Sequence, residues 1–243
     1  MKKIIDLSPN FQRAFRSKKD IKFVIIHYTG MQSAIESINR LKNRKSKVSC
    51  HYFVSKKGLV TQMVLDKDIA WHAGKSRWKN YKNLNKNSIG IELDNKGHEF
   101  GYEKFPHLQI KSVVSLCRNL KKKYSIKKEN FLGHSDIAPL RKLDPGEKFP
   151  WKKLSLNSIG RWFYLEKNKF DAKLNKKEYE NTFFHNLYKI GYRYFYLKKR
   201  NKKKDAKIIK AFQRRYISNA INGKIDLKTL KISHFLAIKS KKP

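Results

Sequence analysis

The sequence predicts a mixed α/β domain, with a central mixed β-sheet flanked by helices, followed by a small all-α C-terminal domain. Three observations predict it. An apolar, β-branched run over residues 22–29 is closed by Gly30 and reads as a strand buried on both faces. Strand patterns then alternate with helical spacing as far as Trp151. Past Leu156 the strand patterns stop and short basic helices take over.

Residues 22–29 read Lys-Phe-Val-Ile-Ile-His-Tyr-Thr, which sets His27 near the end of the strand. Ser33 and Glu36 have capping-box spacing and open a helix with Ile35, Ile38 and Leu41 along one side. Residues 51–54 and 59–64 flank Ser55-Lys56-Lys57-Gly58 and form a predicted β-hairpin. In residues 88–93, Ile89, Ile91 and Leu93 alternate with Gly90 and Glu92, a further strand. Residues 108–124 carry Ile110, Val113, Val114, Cys117, Leu120 and Tyr124 at helical spacing. In the tail, Asp205 and Asp226 are each placed to cap a helix, over 205–216 and 226–238, joined by a turn at Asn222-Gly223. The expected organisation is an N-terminal extension (1–21), the α/β domain (22–156), a basic linker and helical segment (157–204) and the helical domain (205–243).

The chain carries 58 Lys+Arg against 19 Asp+Glu, a formal net charge of +39. With 40% apolar and 13% aromatic residues it can still bury a core, which excludes wholesale disorder. The charge excludes a neutral, self-associating surface and predicts attraction to polyanions: nucleic acid, an anionic membrane face or an acidic cell-wall polymer. Only 12 of the basic residues are Arg, whereas a reader of phosphates and base edges leans on the guanidinium fork. The Lys excess is equally what an AT-rich coding sequence produces. Cys50 and Cys117 have no paired spacing and imply neither a disulfide framework nor a thiolate metal site. No run approaches the ~18 apolar residues of a membrane span, so no transmembrane segment is expected.

Of eight His residues, two stand in contexts that favour chemistry. His27 ends a buried strand, where a side chain can emerge into a cleft. His134 lies in the polar loop Gly133-His-Ser-Asp-Ile-Ala-Pro139, and Asp144-Pro-Gly146 places a carboxylate on a second tight turn. Two imidazoles and a carboxylate, with a fourth position open, make a catalytic zinc set, although their wide spacing is a weak signal by itself. Glu92 in a β-branched strand reads either as part of an exposed sheet face or as a general base beside the metal. Lys142 is ordinary in so basic a chain, and only its place near Asp144 makes it a candidate oxyanion stabiliser.

These residues add up to a family. The sequence resembles the zinc-dependent N-acetylmuramoyl-L-alanine amidases of the type 2 amidase family, relatives of the peptidoglycan recognition proteins. The matching blocks are Val24-Ile-Ile-His-Tyr-Thr29, Ser49-Cys-His-Tyr-Phe-Val54, Ala70-Trp-His-Ala-Gly74, Ser88-Ile-Gly-Ile-Glu-Leu-Asp-Asn95 and the run from Gly133 to Gly146, followed by Phe149-Pro-Trp151. Ala211-Phe-Gln-Arg-Arg-Tyr216, with Asn222-Gly223, Asp226 and Thr229, resembles the small peptidoglycan-binding domain found in some of these amidases.

The resemblance implies one zinc ion per chain, held by His27, His134 and Asp144, with Glu92 as catalytic acid/base and Lys142 as stabiliser of the tetrahedral intermediate. It implies Trp71, His72, Asn95 and Arg141 as substrate contacts, and His51 as a supporting residue. The implied reaction is hydrolysis of the amide between N-acetylmuramic acid and L-alanine in peptidoglycan or muropeptides. Two alternatives stand beside it: a non-catalytic peptidoglycan-binding protein of the same fold, and a basic nucleic-acid-binding protein using aromatics such as those of Tyr192-Arg-Tyr-Phe-Tyr196. In the first reading nucleic acid binds only non-specifically, and an anionic cell-wall polymer is a possible further partner. Asp6, Asn10, Gln12 and Arg13 interrupt any apolar signal region, so the expected compartment is the cytoplasm, with the periplasm or cell envelope as the alternative.

Overall fold

The computed structural model describes residues 2–164 and 175–238. The chain begins with two short strands, β1 (Lys3–Ile5) and β2 (Phe11–Gln12), and the apolar run forms β3 (Phe23–Tyr28). Helix α1 (Ala34–Lys42) starts where the sequence signals it, with the Ser33 hydroxyl accepting from Glu36 N at 3.1 Å. Then follow β4 (Tyr52–Val54), β5 (Val60–Gln62), β6 (Ile69–Ala70), β7 (Arg77–Trp78), β8 (Tyr81–Lys82) and β9 (Ser88–Leu93). Helix α2 (His107–Tyr124), β10 (Phe131–Gly133), the one-turn α3 (His134–Ile137) and α4 (Trp151–Ser155) complete the α/β part. Three helices, α5 (Lys176–Ile190), α6 (Lys202–Tyr216) and α7 (Leu227–Ile238), form the C-terminal part.

The main sheet has six strands in the order β1-β5-β4-β9-β3-β10. All neighbours are parallel except the β4–β5 hairpin, so the sheet is mixed, as expected. The expectation for residues 1–21 needs correction: they are no mere extension. β1 forms the sheet edge beside β5, β2 pairs with β6, and Arg16 reaches the carbonyls of Asp66 and Ser88 at 2.7 and 2.8 Å.

Alternation along β3 assigns its two faces to two cores. Val24 and Ile26 join Ile89, Ile91 and Leu93 against Ile110, Val113, Leu116 and Leu120 of α2. Phe23 and Ile25 join Leu132 in a second cluster, whose other members include Phe183 and Leu187 of α5, Ile208 and Phe212 of α6, and Leu230 and Leu236 of α7. The C-terminal helices therefore cover the second sheet face rather than standing apart as an appended domain. α5 falls inside the part expected as a basic linker and helical segment (157–204), of which residues 165–174 lie outside the described ones. Its start is set by a reciprocal cap between Asn175 and Glu178. Asp226 caps α7 as expected, accepting from Thr229 N at 2.7 Å. Asp205 does not cap α6: Asn201 does, and Asp205 lies inside the helix, paired with Arg200.

Candidate metal centre

β10, β3 and β9 run parallel and side by side, so their carboxyl ends bring residues distant in sequence to one place. His27 lies near the end of β3, Glu92 is its register partner on β9, and His134 is the residue that follows β10. Asp144 arrives on the turn after α3, tied down by Ser135 N donating to its carbonyl at 2.9 Å. The turn is tight against its surroundings: Gly146 has φ +84°, and a Cβ there would collide with the Tyr102 hydroxyl, which donates to Pro145 O at 2.7 Å.

Three atoms converge. His27 Nδ1 lies 3.0 Å from His134 Nδ1 and 2.9 Å from Asp144 Oδ2, and His134 Nδ1 lies 3.0 Å from the same oxygen. All three residues are buried. Hydrogen-bond accounting fixes which ring nitrogens are bare. Ser88 Oγ spends its one proton on Leu84 O at 2.6 Å, so it accepts from His72 Nε2–H at 3.2 Å. His72 Nδ1 is then the acceptor for His27 Nε2–H at 3.0 Å, which leaves His27 Nδ1 without a proton. His134 Nε2–H donates to Ala73 O at 3.2 Å, which leaves its Nδ1 bare too. Burial and then His134 lower the His27 pKa to about 4, and burial with His27 takes His72 well below the usual imidazole range, so both are neutral at pH 7. Burial works to raise the Asp144 carboxyl, but the adjacent His134 and His27 hold it well below the usual carboxylate range. Two imidazole lone pairs and a carboxylate thus face one another in a dry site, an arrangement that repels itself without a cation between them. Two nitrogens and one oxygen suit zinc rather than an oxygen-seeking calcium or magnesium ion. The residues fit the ion that the sequence implied, and the outward hydrogen bonds are those that hold imidazole ligands in place.

The three donors open into a cleft of about 610 Å³, which Glu92, Lys142, Trp71 and Arg141 also line. Glu92 is half-buried, yet its Oε2 is shut off from solvent with no hydrogen-bond partner among the described residues. Burial, then the negative charge of Asp144, raise its pKa well above the usual value. The exposed-face reading of Glu92 does not hold, because its side of β9 is the one on which His27 and His72 gather.

The four expected substrate contacts divide. Trp71 lines the cleft with part of its surface exposed. His72 also borders the cleft, but both its nitrogens are engaged in holding His27. Arg141 spends Nη2 on the carbonyls of Ala73 and Lys75, at 2.6 and 2.9 Å, and so braces the loop beneath His134. Asn95 is a correction. It is fully buried, with its amide donating to Glu103 O at 3.0 Å and accepting from Gly97 N at 3.0 Å, and it shapes a loop instead of meeting a ligand. His51 supports the sheet, its Nδ1 accepting from Gly90 N at 3.0 Å.

Sequence reasoning missed several contributors. Ser88 sets the His72 tautomer, and Gly90 makes room for it, since a Cβ at Gly90 would strike the His72 ring. A glycine inside an apolar strand is a signal of such an approach. On the cleft wall His98 joins Tyr28 at 2.8 Å to Glu147 at 3.1 Å, and Arg214 of α6 lies 3.6 Å from Glu147. No spacing rule links those four positions.

Comparison with known proteins gives a consistent picture. The family profile described as N-acetylmuramoyl-L-alanine amidase matches residues 17–147. The chain is 33% identical over 230 residues to the N-acetylmuramoyl-L-alanine amidase AmiD of Escherichia coli, covering 89% of this chain and 82% of that one. It is 37% identical over 108 residues to the 1,6-anhydro-N-acetylmuramyl-L-alanine amidase AmpD of Haemophilus influenzae, covering 44% of this chain and 56% of the other. Among solved structures, E. coli AmiD in complex with the substrate anhydro-N-acetylmuramic acid-L-Ala-D-gamma-Glu-L-Lys superposes with a TM-score of 0.79 at 31% identity, over 94% of this chain and 93% of the other. AmpDh3 of Pseudomonas aeruginosa gives a TM-score of 0.78 at 26% identity, over 97% and 99% of the two chains.

Proposed function

The chain belongs to the N-acetylmuramoyl-L-alanine amidase family of zinc hydrolases, and we propose that Glu92 transfers the protons of its reaction while Lys142 supplies a fixed positive charge. The reaction is hydrolysis of the amide between the lactyl group of N-acetylmuramic acid and L-alanine. His27, His134 and Asp144 would hold the zinc ion, which when bound supplies Lewis acidity to the scissile carbonyl and lowers the pKa of water for attack near neutral pH. Glu92 takes a proton from the attacking water and delivers it to the departing amine of L-alanine, so the cleaved bond leaves a free carboxyl group and a free amine. Its raised proton affinity suits both halves of that exchange. Lys142 lines the same cleft and offsets the negative charge that develops on the carbonyl oxygen.

One observation carries this reading: a buried, unpartnered carboxylate oxygen on the cleft that holds the three metal donors. Structural roles leave carboxylates paired, because an unpaired one is costly to bury. For substrate, we favour a muropeptide with an anhydro-sugar end, since the E. coli relative was solved with one. Arg40 on the cleft suits a carboxylate of the stem peptide, and Tyr28, Trp71 and Phe100 offer faces for the sugar. The net charge of +39 would favour encounter with anionic wall material and bind nucleic acid only without sequence preference. Among the described residues no helix is long and apolar enough to cross a membrane.

Mass spectrometry of digests tests the reading. Free stem peptide should appear from anhydro-muropeptides, disappear with a chelator and return with zinc. Cleavage by a zinc-free His134→Ala variant would overturn it.

A further inference from the structure

The C-terminal helices do more than cover a sheet face, and the residue that reveals this is Asp136. It lies two positions after His134 on α3 and is 1% exposed, so its charge must be met by protein. Its Oδ2 accepts from Gly133 N at 2.8 Å, within its own turn, and from Arg215 Nη1. Its Oδ1 accepts from the Tyr192 hydroxyl at 2.6 Å. Both partners outside the turn thus come from the C-terminal part, Tyr192 from the segment after α5 and Arg215 from α6.

Arg215 is itself only 5% exposed and is fixed on three sides. Besides Asp136 it donates from Nη2 to Phe131 O at 3.1 Å, and its guanidinium carbon lies 3.8 Å from the centre of the Trp151 ring. Phe131 begins β10, the strand that leads into His134. Tyr192 packs edge-on against Trp78, with ring centres 4.9 Å apart. The clamp therefore grips both sides of the turn that carries His134.

A single helical turn of four residues cannot hold its own geometry in isolation. This one also governs Asp144, through Ser135 N. We propose that Arg215 and Tyr192 are positioning residues for the metal: by fixing Asp136 they hold α3 where His134 and Asp144 meet His27, and so tune zinc affinity from the C-terminal helices. This rests on His134 and Asp144 being zinc ligands.

The test is the zinc dissociation constant, measured on the full-length chain by competition with a chromophoric chelator at a temperature where circular dichroism shows every variant folded. Tyr192→Phe keeps the ring packing and removes only the hydroxyl; Arg215→Lys keeps the charge and loses the fork. Each should weaken zinc binding about tenfold, the lower end of what outer-shell partners contribute. Lys207→Ala, exposed on the same helix, should bind zinc as the parent does. The gap in melting temperature between zinc-loaded and zinc-free protein should narrow in the two clamp variants and not in the control. If Arg215→Lys fails to fold, Tyr192→Phe decides alone. A folded Tyr192→Phe with parental zinc affinity would overturn the proposal, even if its melting temperature falls, because that is the signature of a purely structural contact. Failure of the parent protein to bind zinc would instead refute the metal reading beneath it.

Discussion

Replacing Glu92 by Gln should cost activity and gain stability, and the two effects together test the assignment more sharply than either alone. The amide has nearly the shape of the carboxyl group but cannot shuttle a proton, so turnover should fall by about 10²–10⁴-fold, the usual share of general acid–base catalysis. The gain follows from the charge of Glu92, whose Oε2 is buried without a partner: the amide is left unpartnered too but has no charge to desolvate. A buried unsatisfied group costs about 1–3 kcal/mol, more when charged. Because Glu92 keeps part of its surface exposed, the low end applies, about 1–2 kcal/mol. In a chain of 243 residues that is a rise in melting temperature of about 2–8 °C. The sign with pH is fixed as well. A carboxyl whose pKa is raised on folding destabilises the protein above its unfolded-state pKa, by an amount that grows until pH passes the folded value. The gain in Glu92→Gln should thus be present at pH 7 or 8 and vanish as pH falls to about 4. It should also be larger in zinc-free protein, because a divalent cation beside Glu92 would stabilise its charge. Calorimetry with and without zinc, beside a mass-spectrometric cleavage assay, measures all of this. A variant that is inactive but less stable at every pH would show that Glu92 serves packing, and one that cleaves at the parental rate would remove it from the chemistry.

Three further outcomes follow from the same contacts. His72→Ala takes away the acceptor of His27 Nε2–H and should weaken zinc binding about 10–100-fold, while a substrate-contact role would raise KM and leave zinc binding alone. Asp66 is a buried carboxylate that accepts from Lys123, Tyr124 and Tyr52 at 2.8, 2.5 and 2.6 Å. Burial opposes its ionisation but those partners win and lower its pKa, so its contribution is full above the unfolded pKa of about 4 and lost as pH falls through the folded value. Asp66→Asn should accordingly cost about 1.5–3 kcal/mol at pH 7 in urea melts, with the gap to the parent closing in acid. Truncation after residue 160 should give insoluble or unfolded protein, since it uncovers Phe23, Ile25, Leu132 and Ile137, each contributing about 1.5–3 kcal/mol when buried; a soluble fragment that binds zinc at parental affinity would refute the shared core.

Much of the α/β part was legible because its signals are local. A β-branched run marks β3, Ser33 and Glu36 mark the start of α1, and alternation marks β9. The metal set was legible for another reason: strand ends and tight turns are where side chains can converge, and the resemblance joined His27 to residues more than a hundred positions away. Asn95 misled because a polar residue in a matching block reads as a contact, whereas its amide is spent on Glu103 and Gly97. The C-terminal packing was hidden by charge. Phe183, Phe184 and Leu187 lie in a chain segment rich in lysine, and the partners they cover on β3 and β10 are set by topology, which no local period encodes. The edge strand β1 was illegible because it is three residues long and exposed, its place defined only by hydrogen bonds to β5.

Charge also separates by residue type in a way that the total conceals. With 46 Lys and 12 Arg, a basic position chosen without regard to geometry would be Lys. Yet cationic contacts that brace the site, from exposed Arg141 through half-buried Arg16 to buried Arg215, are made by Arg. Arg16 reaches the backbone carbonyls of Asp66, Asn85, Lys86 and Ser88, Arg141 reaches two beneath His134, and Arg215 bridges Asp136, Phe131 and Trp151. Each of these contacts needs several donors at fixed angles, and all three side chains reach backbone carbonyls. A guanidinium provides that from a plane that sheds water readily, and an ammonium, compact and strongly hydrated, does not. The lysines stay mostly at the surface, where they raise the long-range field without fixing any structure. At these three places the fold needs geometry that a lysine would not supply, and Arg215, buried between the C-terminal helices and the turn that carries His134, is where that need lies nearest the metal.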